Sequence, residues 1–366
     1  MTYPQKSVAI PYQHRIASHC ESGSVRNLLN HAGIDISEPM VFGIGSGAAF
    51  FYLFFAKGPS GLPMLGLRTP PGTIIGNLGK LTGYRFAARA NKRAEDGLDI
   101  IHKNLENGVP TAISVDMFYM KYLPPFLQVH APFHYVVVIG RDGDVYKISD
   151  PYFAGIGDLP KEDLLAAWHT NAPLTKRNFL FCIERDRLPG AVDLKPAIIH
   201  GLKRTCRTMR PPPGIDKMLF FIGIEGMRTF AKKIRGWPRQ YQGVRLREGI
   251  MFNAVTFEDQ GTGGGAFRLM FGAFLQEAAE LFPSSPLGDL AGEIIAHGNR
   301  WKCLSRKFIK VGKMIPMENG AYPDWYAVHA AELDDGLGEL GTEFSKLADF
   351  EADFFKRLGR VARTLG

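Results

Sequence analysis

Cys20, His134 and Asp150 are the residues of this 366-residue chain whose types and placing can do covalent chemistry. Cys20 stands at the head of Ser22-Gly23-Ser24-Val25-Arg26-Asn27-Leu28-Leu29-Asn30-His31, a stretch that reads as a helix closed by Gly33. A cysteine at a helix N-terminus meets the positive end of the helix dipole and unpaired backbone N–H groups, and both favour the thiolate. His134 starts an apolar strand and Asp150 ends the next one. A carboxylate beside an imidazole accepts one ring N–H, fixes the tautomer and leaves the other nitrogen to take a proton from a thiol. Together the three would make a nucleophile able to carry an acyl group. Equally, Cys20 as a small buried apolar side chain is the usual fate of a free cysteine, with His134 and Asp150 merely bounding strands.

What must position them is a hairpin. His134-Tyr135-Val136-Val137-Val138-Ile139-Gly140 reads as a buried strand and Val145-Tyr146-Lys147-Ile148-Ser149-Asp150 alternates like a second, with Asp142-Gly143 as a two-residue turn. That turn places His134 and Asp150 within about one residue of directly opposite, near the distance at which cross-strand side chains touch. Upstream, Ala94 to Asn107 carries apolar positions at helical spacing and ends at Gly108, followed by a strand over Pro110 to Val115. Leu123-Pro124-Pro125-Phe126 is a loop that would wall a cleft, and Pro132 keeps the approach to His134 extended. A short helix over Pro160 to Trp168 and a strand over Phe179 to Ile183 complete a first domain, 1–188. Turn residues at Leu188-Pro189-Gly190 mark the boundary. Residues 194–366 read as mainly helical, with a hard break at Pro211 to Gly214, helices over Ile215 to Ile234 and Ala266 to Leu281, and a last helical stretch over Tyr326 to Leu365 interrupted at Gly336 and Gly341. The fold class is therefore α+β.

Longer blocks add a resemblance. His14-x4-His19-Cys20-x-Ser22-Gly23-x2-Arg26-Asn27-Leu28-Leu29, then Ser37-Glu38-Pro39-Met40-Val41-Phe42-Gly43-Ile44-Gly45-Ser46-Gly47, resemble the butirosin biosynthesis protein H family. The N-terminal half of that family is similar to papain-like and C39-type cysteine peptidases, whose His-Tyr-Val-Val and Asp-Pro signature stands here as His134-Tyr135-Val136-Val137 and Asp150-Pro151. Glu258-x2-Gly261-Thr262-Gly263-Gly264-Gly265-x-Phe267-Arg268 resembles the domain that follows it. The resemblance implies an acyltransferase that moves an acyl or aminoacyl group from the phosphopantetheine of an acyl carrier protein to an amine, an aminoglycoside in the named member. It implies Cys20 as nucleophile, His134 as base and Asp150 as its orienter. Papain-like enzymes also place a glutamine six residues before the cysteine as an oxyanion donor. Here that position is His14, with Gln13 one further back, so either side chain would join the Cys20 N–H in the oxyanion hole. His19 is a positioning group. A cysteine peptidase or amidase, and a non-catalytic carrier-binding protein, stay as alternatives.

Two glycine-rich stretches invite ligand readings. Gly43 to Gly47 lacks the GxGxxG spacing of a dinucleotide site, and its use would be close backbone approach beside the active site, which makes Gly45 and Ser46 candidates for substrate contact. Thr262, Gly263 and Gly264 open a helix and would offer N–H groups to a phosphate or carboxylate, with Arg268 nearby. Alternatively they only turn the chain, and Glu258 and Arg268 form an ordinary ion pair.

The formal charge of +8 and pI near 9.2 suit an acidic partner such as a carrier protein. The charge is spread and no nucleic-acid motif appears. Four widely spaced cysteines, Cys20, Cys182, Cys206 and Cys303, offer neither a disulfide framework nor a metal site, and the polar start Met1 to Lys6 is unlike a secretory signal, so a reducing cytoplasm is expected. Met40 to Ala56 is uncharged but shorter than the roughly 20 residues of a membrane span. No bound cofactor or metal is required by this chemistry.

Overall fold

The first helix starts at the candidate nucleophile. In a computed structural model describing residues 7–57, 61–170, 176–215, 218, 221–258 and 261–366, strand β1 (Val8–Ala9) leads through an extended strap to α1 (Cys20–His31) and α2 (Glu38–Ile44). A hairpin of β2 (Ala48–Lys57) and β3 (Pro63–Arg68) follows, then α3 (Thr73–Thr82), β4 (Phe86–Ala90), α4 (Ala94–Glu106), β5 (Thr111–Val115), β6 (His134–Asp142), β7 (Val145–Ser149), β8 (Ile156–Pro160), α5 (Lys161–Trp168) and β9 (Phe179–Ile183). The remainder is helical: α6 (Lys195–Met209), α7 (Gly223–Lys233), α8 (Gly243–Glu258), α9 (Arg268–Leu281), α10 (Leu287–Met314) and α11 (Tyr322–Thr364). The polar start Met1 to Lys6, the Phe55 and Ala56 side chains, and positions 216, 217, 219 and 220 of the expected Ile215–Ile234 helix lie outside the described residues. Among those described, that helix begins at Gly223.

Two compact units result. The first comprises 1–41 and 70–194, the second 42–69 and 195–366. The linear division expected at residue 188 therefore differs in one respect: Phe42–Thr69, inside the first stretch by sequence, packs with the helical unit.

The first unit is built on an antiparallel sheet in the order β4-β9-β5-β6-β7-β8, with β1 pairing the far end of β6. One face of the sheet presents Ile113, Val115, Val136, Val138, Ile148 and Leu180 to α4 and α5, where Leu98, Ile101, Leu105, Leu164 and Trp168 close the core. The Trp168 indole N–H donates to the Phe179 carbonyl at 2.9 Å, so the largest core side chain is polar-satisfied. α1 packs against β6 through a hydrogen bond from the Ser24 hydroxyl to the Tyr135 carbonyl, 3.2 Å.

In the second unit the Gly336 and Gly341 interruptions do not occur, and α11 runs unbroken. A Cβ at Gly341 would stand 2.5 Å from the Ala231 carbonyl oxygen, so this glycine serves helix packing rather than helix ending. The unit is tied internally by a buried polar cluster. Arg268 donates to both oxygens of Glu351 at 2.9 and 2.8 Å, and Trp301 Nε1 and His297 Nε2 reach the same carboxylate at 3.0 and 3.1 Å. No described helix is long and apolar enough to cross a membrane.

Burial acts to raise the Glu351 carboxyl, but the Arg268 charge and the hydrogen bonds from His297 and Arg268 prevail and hold it down at about 2. A folded value below the usual ~4.3 means that this stabilisation is present above pH ~4.3 and is lost as pH falls toward the folded value. Glu351→Ala leaves the Arg268 guanidinium buried without its carboxylate and is expected to cost about 3–5 kcal/mol in denaturant unfolding at neutral pH; a loss under ~1 kcal/mol would contradict the cluster's role.

Candidate active site

Three separate stretches of chain meet at Cys20. α1 supplies the thiol at its first position, β6 supplies His134 at its first residue, and Asp150 lies one residue past β7. The hairpin turn sits one residue later than expected, since Asp142 pairs with Val145 and Gly143 takes a positive φ of 56°. An irregularity between Val138 and Gly140 then shifts the register, so that Val137 faces Ser149. Continued by one residue, this sets Asp150 across from Val136, on the same face as His134 and diagonal to it. Diagonal neighbours lie about 7–8 Å apart at the backbone, a span that an imidazole and a carboxylate together cover. His134 Nε2 stands 2.9 Å from both Asp150 oxygens.

The Asp150 carboxylate is fully buried and further held by the Tyr122 hydroxyl at 2.9 Å and the Tyr152 N–H at 2.8 Å. Burial opposes its charge, yet the His134 charge and these donors hold its carboxyl below the usual range. Burial likewise works against a charged His134, but the Asp150 charge and hydrogen bond, with a smaller contribution from the Cys20 sulfur, push the ring up to about 10. The Asp150 charge thus favours the imidazolium form of His134. Its Nε2 belongs to Asp150, which leaves Nδ1 for Cys20. Cys20 itself is partly exposed, with Sγ 3.9 Å from the Phe133 carbonyl just ahead of His134.

The strap before Cys20 is fastened to the turn that carries Asp150. Ala17 N–H donates to the Pro151 carbonyl at 2.8 Å, and a Cβ on Gly23 would stand 2.3 Å from the Ala17 Cβ and 3.2 Å from Pro151. Gly23 therefore lets the strap and the turn close over the first turn of α1. The helix start is secured by Glu38, whose carboxylate accepts the Ser18 N–H (3.0 Å), the His19 N–H (2.8 Å) and the Ser22 hydroxyl (3.1 Å).

The expected accessory residues divide. His19 is the N-cap of α1, its Nδ1 accepting the Ser22 N–H at 3.3 Å, which is a positioning role. His14 does not offer a donor to an oxyanion: its Nε2–H goes to the Phe153 carbonyl at 2.9 Å and its Nδ1 meets the Ser149 hydroxyl at 2.8 Å. Gln13 is exposed, and its Oε1 accepts from Arg15 at 2.8 Å. With His14 committed elsewhere, the Cys20 N–H, at a helix start where such groups lack intrahelical partners, and the Gln13 side-chain N–H groups stand as the expected oxyanion donors.

Gly45, Ser46, Thr262, Gly263, Gly264 and Arg268 all belong to the second unit, not to the unit that holds Cys20, His134 and Asp150. Ser46 is buried with its hydroxyl 3.4 Å from the Gly201 carbonyl, and Gly43 and Gly47 admit Phe274 and Phe42 where a Cβ would clash. Two donors of the Thr262–Gly265 loop are turned inward: Gly264 N–H gives to the Thr262 hydroxyl at 3.1 Å and Gly265 N–H to Glu258 at 3.1 Å. Arg268 pairs with Glu351 and not, as one alternative had it, with Glu258. These residues turn and lock the helical unit. Tyr122 and Glu38 are the functional side chains that sequence reasoning passed over. Both act across long separations, 28 residues from Asp150 and 16 from Ser22, with no local spacing rule to reveal them.

Replacing Asp150 by Asn removes the charge that sustains the imidazolium. In ring 1H–15N spectra the His134 titration is expected near pH 10 in the wild type and several units lower in Asp150→Asn, where burial is left less opposed. An unchanged titration would contradict the pairing.

Comparison with known proteins accords with this geometry. The family described as Butirosin biosynthesis protein H, N-terminal matches residues 19–151, and Domain of unknown function (DUF4872) matches residues 162–358. No curated protein matches the chain. A crystal structure from Bacillus anthracis, described as a C39-like peptidase, is similar at 15% identity with a TM-score of 0.36, over 51% of this chain and 100% of that one, a likeness too slight to carry weight. The model of the Domain of unknown function (DUF4872) spans more than half of this chain, so the chain belongs to that family, and the cysteine-headed helix set against a sheet bearing histidine and aspartate falls within the part that is similar to the N-terminal domain of butirosin biosynthesis protein H.

Proposed function

We propose that this protein is a cysteine-dependent acyltransferase that moves an acyl or aminoacyl group from an acyl carrier protein thioester, through Cys20, to an amine acceptor. The observation that carries this is the His134–Asp150 pair at 2.9 Å, set beside a cysteine at the start of a helix. In the first half-reaction the Cys20 sulfur attacks the thioester carbonyl, the oxyanion is held at the Cys20 N–H, and the departing pantetheine thiolate takes a proton from the His134 imidazolium. In the second, the acceptor amine attacks the acyl-enzyme, His134 removes its proton, and the Cys20 sulfur leaves, forming an amide. Asp150 steadies the imidazolium in each charged state.

Two facts favour transfer to an amine over hydrolysis or mere carrier binding. The domain matched over residues 19–151 is described by a biosynthesis protein. The net charge of +8 also suits docking of an acidic carrier protein. An amidase would use the same machinery, with water in place of the amine. Natural-product assembly and a cytoplasmic site of action go with this proposal.

Intact-mass measurement with an acylated carrier protein tests it. Wild type is expected to gain the acyl mass and to lose it faster when amines are added, and Cys20→Ala is expected to gain nothing. Discharge into water at the same rate with or without amines points to a hydrolase, and product formation undiminished in Cys20→Ala would overturn the proposal.

A further inference from the structure

The first unit contains a cavity of about 670 Å³ between α3 and the edge of the sheet, within the size range of small-molecule sites. Its floor crosses four strands at the end of the sheet where His134 sits. Tyr135 of β6, Ser114 of β5, Phe179 of β9 and Ala90 of β4 lie in this row, and Ser114 pairs directly with Tyr135, the residue after His134. The opposite wall is the start of α3. There the N–H groups of Gly72, Ile74 and Ile75 are already taken by Glu21, the residue after Cys20, at 3.1–3.4 Å. The cavity thus borders the strand that carries the base, and its α3 wall is tied through Glu21 to the helix that carries the nucleophile.

Its charge is one-sided. Lys80, Arg85 and Lys176 line it, and none of its described lining residues is acidic. Glu21, beneath the α3 start, is fully buried and turned to backbone N–H groups. Lys176 lies over the Phe179 ring at 5.5 Å, which places an ammonium group beside an apolar surface at the mouth. Cations gathered over an aromatic and apolar floor recognise a ligand that joins an oxyanion to a less polar body. A polycationic amine, such as the aminoglycoside implied by the family resemblance, would meet three like charges there.

We propose that this cavity holds an anionic, carboxylate- or phosphate-bearing part of one of the enzyme's substrates, and not a polycationic one. The proposal rests on the acyltransferase reading and specifies its substrate class. The anion has two possible sources: the phosphate of the carrier's pantetheine arm, or a carboxylate on the acyl chain or acceptor.

Calorimetric titration of the full chain bearing Cys20→Ala, which cannot be acylated at that residue, tests the cavity alone. The probes are 4′-phosphopantetheine, pantetheine, glutarate and spermidine. Binding of 4′-phosphopantetheine but not pantetheine identifies the phosphate, and binding of glutarate identifies a carboxylate. Whichever anion binds is expected to lose about tenfold or more in affinity in Lys80→Ala/Arg85→Ala/Lys176→Ala, and to weaken as salt rises. Lys80→Ala and Arg85→Ala singly, both on exposed side chains, give the same reading in smaller steps should the triple variant not fold. The proposal is overturned if neither anion binds, if spermidine binds as tightly, or if the charge-deleted variants keep wild-type affinity. Acylation of Cys20 without anion binding would sink only this inference, and anion binding without acylation would sink only the transfer reaction.

Discussion

A carboxylate without solvent contact must be satisfied entirely by its neighbours, and in Asp150 that requirement organises the catalytic unit. Its oxygens take hydrogen bonds from His134, the Tyr122 hydroxyl and the Tyr152 N–H, which draws β6, the loop ahead of it and the turn after β7 onto one point. An ionised group of this kind is costly to bury unless each lone pair is met. The same turn then supplies the Pro151 carbonyl that holds the strap before Cys20. Nucleophile, base and orienter are in this way placed by one short piece of chain.

Much of the arrangement was legible because it follows periodic rules. The helix start at Cys20, the strands on either side of Gly143, and the facing of His134 and Asp150 all come from spacing and turn chemistry. The detail escaped because the turn falls one residue later than Asp142-Gly143 and an irregularity near Ile139 then moves the register again, neither of which the alternation of Val and Ile reveals. The two carboxyl–imidazole partners still meet, since diagonal neighbours on one face are within side-chain reach. Glu38 and Tyr122 were invisible for a different reason. Each acts on a group far away in sequence, and neither lies in a capping or turn pattern with its target.

Glycines misled in a consistent way. Those at Gly336 and Gly341 suggested breaks, and those at 261–265 suggested an anion cradle. In the structure Gly341 lets two helices approach, while the Gly263–Gly265 run takes positive φ and directs the Gly264 and Gly265 N–H groups to Thr262 and Glu258. A glycine states that a side chain would not fit or that φ is positive; it does not say which neighbour is the reason. The assignment of Phe42–Thr69 to the helical unit was hidden for a related cause, because a hairpin inserted between α2 and α3 looks locally like part of the sheet domain that surrounds it in sequence.

The central claim is that Cys20 is the activated thiol of this chain, made so by the His134–Asp150 pair rather than by exposure. Cys303 is the more exposed cysteine and has no such partner among the described residues. Limiting iodoacetamide at neutral pH, with the two sites resolved by peptide mass, tests the claim most directly. The account predicts that Cys20 is alkylated ahead of Cys303 by about tenfold or more; modification of Cys303 first would contradict it.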